Sequence, residues 1–571
     1  MSITSTGNNS IDSLVSSSWK PNAGQAVSLT YSFLTRVPAD ATADDANGFK
    51  SMDATQQQAA RAALASWAAV ANITFTEVSS GGNIQLGTNN QGSVSSGYAY
   101  LPDQRGDAVS LFINNSTSAR LTYASGDFGA SVLIHELGHT LGLKHPGNYD
   151  STGGDIDGPF LPTATDNIDY SQMSYNTGAG FKLNGNYGIT PALYDIQAMQ
   201  YLYGANMSYH TGADNYSFSR DAALQCIWDA GGTDTFDFSA CTSATIINLN
   251  AGSFSETSPG YHNISIAYNV TIERAIAGSG GSTIYANAAG NAITGGAGID
   301  TIYEGAGNDV ITGGAGDKVV FAKALSAFTI SGAPGALTVS GDGVDTINGI
   351  GLLQFGTATV DISNYRSLQG GSAGNDSFTA RAGDELITGG AGVDVVKFSG
   401  VRADYQVGAS GPGVVVSDRL GNGGSDQLAG VERIEFADHT GLALDVNGAA
   451  GQLYRVYAAM LNRAPDPVGL GFWLNALDHG APLVSVSSEF ITSDEFKFLY
   501  GANASNDTFL TALYRNVLHR GPDNDGYVWW LDQLNHGGAR ADILLGFSDS
   551  AENIEAFSHI IPVGVAYTPV I

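Results

Sequence analysis

The chain has 571 residues, 24 of them basic and 54 acidic, and its net charge of −30 argues against a nucleic acid or an anionic membrane as partner. Its only two cysteines, Cys226 and Cys241, exclude a disulfide scaffold; two small buried residues or a single bridge both remain open. The first ten residues are polar and no long apolar run occurs, so we expect neither a Sec-type signal peptide nor a transmembrane segment.

The first part of the chain alternates between predicted helices and short strands. The expected helices lie at 53–71, from 127 onwards and at 190–204, and the expected strands at 73–77, 82–87 and 109–114. The side chain of Asp127 can cap the second helix. Thr190 and Pro191 resemble a capping residue followed by a first-turn proline, and Gly204 is a natural stop.

The second predicted helix carries a compact group of metal-binding side chains. His135 and His139 lie four residues apart, so both project from one helix face and can reach one ion. Glu136 can take a proton from a zinc-bound water, whose pKa the metal lowers to about 7. Gly142 can adopt a positive φ, which reverses the chain and brings in His145 as a third ligand. Three protein ligands leave one coordination position open, which is typical of a catalytic zinc site.

A methionine turn follows this motif. The segment Ser171-Gln172-Met173-Ser174-Tyr175 lies downstream, and such a turn after a long zinc motif is the signature of the metzincins. With Pro146 after the third histidine, it resembles the serralysin branch, the secreted bacterial zinc proteases. Four further segments carry the resemblance, which covers residues 20 to about 320: Tyr31-Ser32-Phe33, Ala71-Asn72-Ile73-Thr74-Phe75, Gly97-Tyr98-Ala99-Tyr100 and Leu202-Tyr203-Gly204-Ala205-Asn206.

The resemblance implies an α+β metzincin catalytic domain at 21–215 with one catalytic zinc. In that family the tyrosine that corresponds to Tyr175 binds zinc in the resting enzyme and swings away to stabilise the oxyanion. The methionine that corresponds to Met173 forms the floor beneath the metal. An edge strand at 96–101 would bind an extended substrate by backbone pairing, which predicts broad endopeptidase specificity. The resemblance also implies export by type I secretion machinery and predicts a propeptide or disordered N-terminus at 1–20.

Nine-residue glycine-rich repeats dominate the next region. The units GGAGIDTIY, EGAGNDVIT and GGAGDKVVF follow one another from Gly295, and this pattern predicts a calcium-binding parallel β-roll at 216–325. The eighth residue of each unit should point inward: Ile284, Ile293, Ile302, Ile311 and Val320. Calcium prefers carboxylate and carbonyl oxygens. The predicted ligands are Gly296, Gly298, Asp300, Gly305, Gly307 and Asp309.

The repeat pattern also predicts which side chains face each other. Because two units form one coil, Asp309 should face Asn291, and Asp300 should face Lys318. Lys318 stands where the repeat has an aspartate, so we expect few calcium ions in this roll.

A second, weaker repeat block lies in a predicted β-solenoid region at 326–448. It runs through Asp376, Glu385 and Asp394 in the same phase, and its predicted calcium ligands are Asp376, Gly390, Gly392 and Asp394. A longer duplication, 319–363 and 395–446, flanks this block with strand-like alternation.

Helical patterns return at 449–571, which we predict to be a separate all-α domain. It is internally duplicated with an offset of 57 residues, so that Tyr457 and Trp473 of the first copy correspond to Tyr514 and Trp530 of the second. The segment resembles an uncharacterised helical domain of large secreted bacterial proteins. Binding of a cell-surface glycan or surface-layer partner and a structural cap on the solenoid both remain open.

Together these observations predict a multidomain protein: an α+β metzincin domain, a parallel β-roll and β-solenoid middle region, and an all-α C-terminal domain. The expected function is a secreted zinc endopeptidase that hydrolyses proteins with Glu136 as general base and is stabilised by several calcium ions. The alternative is a non-enzymatic or narrowly specific protein associated with the cell surface or surface layer.

Overall fold

A computed structural model describes residues 5–102, 107–149, 157–181, 186–410, 413–421, 423–522 and 524–570. The chain divides into two compact units, Met1–Val319 and Val320–Ile571. The finer division predicted from the sequence, with boundaries at 20, 215, 325 and 448, stays a prediction. Residues 1–4, Asp523 and Ile571, which fall within predicted segments, lie outside the described residues.

The first part of unit one combines helices with a five-stranded sheet. Its helices are α1 (Asn9–Asp12), α2 (Ala43–Ala46), α3 (Ala54–Val70), α4 (Phe128–Thr140) and α5 (Leu193–Tyr203), with a 3-10 turn at Ala179–Phe181. Its strands are β1 (Val27–Phe33), β2 (Ile73–Glu77), β3 (Ile84–Asn89), β4 (Gly97–Ala99) and β5 (Val109–Asn114). The sheet order is β2-β1-β3-β5-β4, and all pairs are parallel except β5 with β4. The strand expected at 96–101 is therefore the outer, antiparallel strand.

The helix bounds follow the predicted ones, but two predicted caps are wrong. Asp53 caps α3 as its spacing to Gln56 suggests, since each side chain bonds the other's backbone N–H. Asp127 precedes α4 without capping it, because its carboxylate accepts from the Ala124 N–H instead. At α5 the cap lies two residues later than predicted: the Asp195 carboxylate accepts from the Ala192 N–H.

The N-terminal segment packs into unit one, so the prediction of a disordered N-terminus is wrong for residues 5–20. Leu14 is fully buried, and Val15 forms an antiparallel bridge with Leu143. Whether residues 1–20 are removed as a propeptide stays a prediction.

The rest of unit one consists of short stacked strands. They are β6 (Asn215–Ser217), β7 (Gln225–Ile227), β8 (Thr235–Asp237), β9 (Thr245–Asn248), β10 (Phe254–Ser255), β11 (Ile264–Ile266), β12 (Arg274–Ile276), β13 (Ser282–Tyr285), β14 (Ala292–Thr294), β15 (Thr301–Tyr303) and β16 (Val310–Thr312). These strands form two parallel ladders, and within each ladder the strands follow one another in chain order: β6-β8-β12-β14-β16 and β9-β13-β15. Residues one coil apart pair directly, such as Ile284 with Ile302.

The last repeat departs from the predicted register by one residue. Ile284, Ile293, Ile302 and Ile311 are buried as expected, but in β17 (Lys318–Phe321) the buried residues are Val319 and Phe321, so the prediction of an inward Val320 is wrong. The cause is a tighter turn: the Asp317 carboxylate accepts from Gly314, three residues back, whereas that of Asp300 accepts from Gly296, four residues back.

Unit two begins with strands and continues with helices. The strands are β18 (Thr329–Ala333), β19 (Ala336–Ser340), β20 (Val344–Asn348), β21 (Leu352–Phe355), β22 (Ala358–Asp361), β23 (Ser367–Gly370), β24 (Ser377–Thr379), β25 (Glu385–Thr388), β26 (Val395–Lys397), β27 (Tyr405–Ser410), β28 (Gly413–Asp418), β29 (Ser425–Ala429), β30 (Arg433–Glu435), β31 (Gly441–Ala443) and β32 (Val565–Tyr567). The 3-10 turns are Leu325–Ala327, Ile362–Asn364 and Arg402–Asp404. In both copies of the long duplication an antiparallel hairpin, β18-β19 or β27-β28, interrupts the parallel stacking.

Most helices of unit two share one apolar core. They are α6 (Ala449–Leu461), α7 (Pro467–Asp478), α8 (Leu483–Thr492), α9 (Asp494–Tyr500), α10 (Asn506–Val517), α11 (Asn524–Asn535), α12 (Arg540–Ser548) and α13 (Ala551–Ser558). Tyr457 and Tyr514 are buried in this core, with Trp473 and Trp530 packed against it. The segment is not separate from the sheets, because β32 pairs antiparallel with β31. Within the parts of the chain that the structure describes, no helix combines the length and apolar character needed to cross a membrane.

Candidate metal centre

Helix α4 presents His135 and His139 on one face above a tightly packed base. Gly138, between them, faces the fully buried Met173: a Cβ built on this glycine would lie 2.6 Å from the Met173 sulfur. The Trp67 indole donates to the Ile134 carbonyl at 3.1 Å and packs beneath the same turn. Met173 and Trp67 therefore pack against the turn of α4 that carries the two histidines.

The chain reverses immediately after α4. Gly142 has a φ of +110°, a left-handed conformation that side chains with a Cβ rarely adopt. This turn returns the chain towards the helix and delivers His145. The structure thus brings together the three histidines that the sequence singled out.

The three imidazoles converge through their Nε2 atoms. The Nε2 of His145 lies 3.2 Å from that of His135 and 3.1 Å from that of His139. Ligands about 2.1 Å from a tetrahedral zinc lie roughly 3.4 Å apart, so the spacing fits one ion held by all three rings.

Backbone carbonyls fix which nitrogen of two rings carries the proton. The Nδ1 of His135 lies 2.7 Å from the Gln172 carbonyl, and the Nδ1 of His139 lies 2.8 Å from the Leu143 carbonyl. A carbonyl can only accept, so both Nδ1 atoms carry the proton and both Nε2 atoms offer lone pairs. Burial, with His139 beside it, lowers the pKa of His135 to about 3 and keeps that ring neutral. Neutral rings with converging lone pairs are the donor set that zinc requires.

Glu136 lies in the same site, deeply buried. Its Oε2 has no hydrogen-bond partner among the described residues, and burial raises the pKa of the carboxyl to about 8. The outer strand β4 passes close by, since a Cβ on Gly97 would lie 3.1 Å from the Glu136 Oε1. A nearby dication would favour the ionised carboxylate.

Tyr175 stands at the entrance and is half exposed. Its ring centroid lies 4.5 Å from that of His145 and 4.9 Å from that of Tyr149, on which it stacks. Tyr149 was missed by the sequence reasoning, although it follows His145 by only four residues. Its hydroxyl donates to Asp166 at 2.6 Å and lies 3.0 Å from the Ser174 hydroxyl, so it ties the loop after the third histidine to the methionine turn.

Asp195 is a second residue that sequence reasoning missed. It is fully buried and accepts from the Ser171 hydroxyl at 2.6 Å and from the Gln172 N–H at 2.7 Å. Because the Gln172 carbonyl contacts His135, Asp195 holds the methionine turn that orients this ring. The sequence signal that could have revealed Asp195 is a carboxylate placed among the apolar residues of α5.

A cleft of about 410 Å³ opens beside Glu136 and His135. Phe128, Val132 and Ile168 supply apolar walls, and Gln172 and Thr177 supply polar ones. The cleft therefore combines apolar and polar walls beside His135.

The predicted calcium ligands of the first block lie at contacts between adjacent coils. Asp300 and Asp309 are fully buried and accept from the N–H groups of Ser282 and Asn291, each at 2.6 Å. The pairing of Asp309 with Asn291 is as expected. The four glycines are confined by the neighbouring coil, where a Cβ would lie about 2 Å from its backbone: Gly296, Gly298, Gly305 and Gly307.

The expected pairing of Asp300 with Lys318 is wrong. The tighter turn places Asp317 there, and its Oδ1 accepts from the Asp300 N–H at 2.8 Å. A carboxylate, rather than an ammonium group, therefore faces the Asp300 coil.

The second block has the same arrangement. Asp394 accepts from the Asp376 N–H at 2.7 Å, while its buried Oδ2 has no partner among the described residues. Gly390 and Gly392 have φ values of +104° and +120°.

A further histidine belongs to an acidic group. His210, which the sequence suggested to be an ordinary polar residue, lies 3.1 Å from the Asp214 carboxylate, and the two form a cluster with Asp229.

Comparisons with known proteins bear on the site. The chain is 38% identical over 302 residues to Metalloprotease AprA of Pseudomonas entomophila (strain L48), 39% over 282 residues to Serralysin C of Dickeya chrysanthemi and 38% over 308 residues to Serralysin of Proteus mirabilis. The chain has serralysin homologues. The alignments cover 48%, 45% and 47% of this chain and 62%, 58% and 61% of the relatives, so the chain spans about three fifths of the length of the curated relatives it matches. The predicted resemblance is confirmed.

The C-terminal part gives a different match. Residues 487–557 match a family described as a domain of unknown function, DUF4214, in agreement with an extra C-terminal domain of an uncharacterised family. Among solved structures, the extracellular lipase LipA from Serratia marcescens aligns over 28% of this chain and 38% of its own, with 14% identity and a TM-score of 0.16, which carries no argument about the fold.

Proposed function

We propose that the protein is a secreted zinc metalloendopeptidase of the metzincin type. The observation that carries this proposal is the convergence of three histidine Nε2 atoms beside the buried Glu136. The Nε2 of His145 lies 3.2 Å from that of His135 and 3.1 Å from that of His139. The named relatives, which are metalloproteases or serralysins, support it. They do not favour the non-enzymatic, surface-associated alternative.

His135, His139 and His145 would hold the zinc, with Tyr175 as a further ligand in the resting state. Bound there, zinc would polarise the scissile carbonyl and lower the pKa of water. Glu136 would take the proton from the attacking water on its unpartnered Oε2 and pass it to the leaving amine. Tyr175, half exposed beside His145, would donate its hydroxyl to the oxyanion.

The substrate would lie extended along β4. This strand is the outer one of the sheet and pairs with β5 on one side only within the described chain. Backbone pairing reads little side-chain identity, so we expect broad specificity with an apolar preference from Phe128, Val132 and Ile168.

Casein cleavage by the full-length protein tests this function, with Glu136→Gln as the decisive variant. The substitution keeps the shape of the side chain and removes the base, so we expect a loss of kcat of at least about a hundredfold. Glu77→Gln is the matched control, because Glu77 lies on β2 in an exposed ion pair with Arg61 at 2.8 Å. Equal activity of Glu136→Gln and Glu77→Gln would contradict the proposal.

The stacked repeats are proposed to form a β-roll that binds structural calcium. Burial raises the pKa values of Asp300, Asp309 and Asp394, so a bound cation would favour the ionised form of these carboxyl groups. Calcium would be that cation, with Asp317 replacing Lys318 in the ligand arrangement. External calcium would then fold the acidic repeats after type I export.

The helical segment at 449–571 is proposed to contact the cell envelope or a surface-layer partner. Exposed aromatic side chains recur at the same place in both copies, Phe472 and Trp529, which lie 57 residues apart. Retention of the full-length protein by envelope fractions, and its loss in a Phe472→Ala/Trp529→Ala double variant, would support the contact. Equal retention of both proteins would contradict it.

A further inference from the structure

The residues after α1 run directly against the turn that separates the second and third zinc histidines. Ser16 and Ser17 both donate their backbone N–H groups to the Gly142 carbonyl, at 2.9 and 3.1 Å. The approach is so close that a Cβ on Gly142 would lie 2.1 Å from the Ser17 carbonyl oxygen. The turn and the N-terminal segment therefore fix each other's backbone.

The N-terminal segment also forms hydrogen bonds with residues on either side of Gly142. The Trp19 indole donates to the Thr140 carbonyl at 2.8 Å, and Lys144 donates its N–H to the Leu14 carbonyl at 2.7 Å. Thr140 ends α4, where carbonyl groups lack partners within the helix.

A tyrosine of α5 completes these contacts. The Tyr203 hydroxyl donates to the Leu141 carbonyl at 2.8 Å and accepts from the backbone N–H of Trp19 at 3.2 Å. Tyr203, Leu141 and Leu143 are fully buried, so water cannot replace these bonds.

Two zinc ligands depend on the position of this turn. The Leu143 carbonyl contacts the Nδ1 of His139, and Leu143 is itself bridged to Val15. His145 follows Lys144 directly, so its backbone is set by the bond from Lys144 to Leu14.

We propose that residues 14–19, together with Tyr203, form an N-terminal clamp that positions His139 and His145 for zinc. The clamp residues are positioning residues, since they act through the backbone of residues 140–144. The inference rests on the proposed function, because zinc is the ion that this site is proposed to hold. It implies that the active protein keeps residues 14–19, in contrast to removal of a propeptide at 1–20.

Zinc affinity of the full-length protein tests the clamp, with Trp19→Phe as the variant. Phenylalanine keeps the ring and removes the N–H that bonds Thr140, and partners that orient metal ligands typically change affinity 10–100-fold. We expect the zinc dissociation constant, measured by competition with a chromophoric chelator, to rise about tenfold. The visible spectrum of Co²⁺ in the same site should also change, because it reports ligand geometry.

The matched control is Trp228→Phe. Trp228 is a buried tryptophan whose indole donates to the Asn206 carbonyl at 3.1 Å, outside the zinc turn. The control should bind zinc like the wild type and lose only stability. If Trp19→Phe does not fold, Tyr203→Phe removes a single hydroxyl from the same clamp and makes the same comparison.

The outcomes separate the two ideas. Zinc binding by Trp19→Phe within twofold of Trp228→Phe, with an unchanged Co²⁺ spectrum, would overturn the clamp and leave the proposed function standing. A wild-type protein that binds no zinc would overturn both. An active protein whose N-terminus begins after Lys20 would also overturn the clamp.

Discussion

Two glycines make room for the candidate metal centre at the scale of single residues. Gly138 lets α4 settle onto Met173, and Gly142 turns the chain at a φ that other residues rarely adopt. Sequence reasoning finds Gly142 from its place after the helix. It cannot find the role of Gly138, because the sulfur that fills the space belongs to a distant turn.

Replacing Gly138 by alanine should destabilise unit one. The new Cβ would lie 2.6 Å from the Met173 sulfur, and overpacking of this kind costs about 1–3 kcal/mol. Gly546→Ala is the control, because the nearest atom to its Cβ is 4.0 Å away, so this change should be neutral or stabilising by about 0.5–1 kcal/mol. Urea unfolding measures both. A Gly138→Ala variant as stable as the wild type would show that the turn below the helix yields freely.

The buried carboxyl group of Asp195 should make the stability of the protein depend on pH. Burial raises its folded-state pKa from 3.8 to about 6, so the folded state holds the proton more tightly than the unfolded state. The protonated carboxyl therefore contributes to the free energy of unfolding fully below about pH 4, and this contribution is lost as the pH rises through 6. The free energy of unfolding of the wild type relative to Asp195→Asn should fall by about 2 kcal/mol between pH 4 and 7. Denaturant titrations across this range measure it, and parallel curves would contradict it.

At the scale of elements, sequence pattern predicts periodic structure and misses local exceptions. The bounds of α3 and β2 follow from a capping residue and from alternation. The caps of α4 and α5 do not, because the side chains of Asp127 and Thr190 accept from the Ala124 and Cys226 N–H groups, which lie outside these helices. The predicted register of the last repeat is wrong because the repeat pattern does not show that its turn is one residue shorter. The shorter turn puts Asp317, rather than Lys318, in the aspartate position and buries Val319.

The corrected register predicts which side chain matters for calcium. Asp317→Asn should weaken calcium-dependent stabilisation, by about 1.4 kcal/mol for each tenfold loss of affinity, because its carboxylate faces the Asp300 coil. Lys318→Gln should leave it unchanged. The calcium-induced shift in Tm of the full-length protein measures both. A larger effect of Lys318→Gln than of Asp317→Asn would restore the register expected from the repeat pattern.

At the scale of the whole molecule, the helical segment and the preceding sheet of unit two are joined by buried charges. Arg433, on β30, pairs with Asp445 at 2.5 Å and with Asp478, on α7, at 2.7 Å. The sequence gives the helices and their duplication. It does not show that β32 returns to the sheet, because a three-residue strand carries too little pattern to assign its partner.

Asp478→Asn should therefore weaken unit two as a whole. The change leaves the buried Arg433 with one carboxylate, and we expect a loss of about 1–3 kcal/mol. Asp494→Asn is the control, since Asp494 is fully exposed in its pair with Lys497 and its replacement should leave the stability almost unchanged. Hydrogen exchange should show lower protection in β30 and α7 together. Lower protection confined to α7 would contradict a shared folding unit.

The measurement that tests the account most directly is anomalous X-ray scattering at the zinc edge from crystals of the full-length protein. The account predicts a zinc peak about 2.1 Å from the Nε2 atoms of His135, His139 and His145. A zinc peak only at His210, Asp214 and Asp229, the other metal-compatible cluster among the described residues, would contradict it.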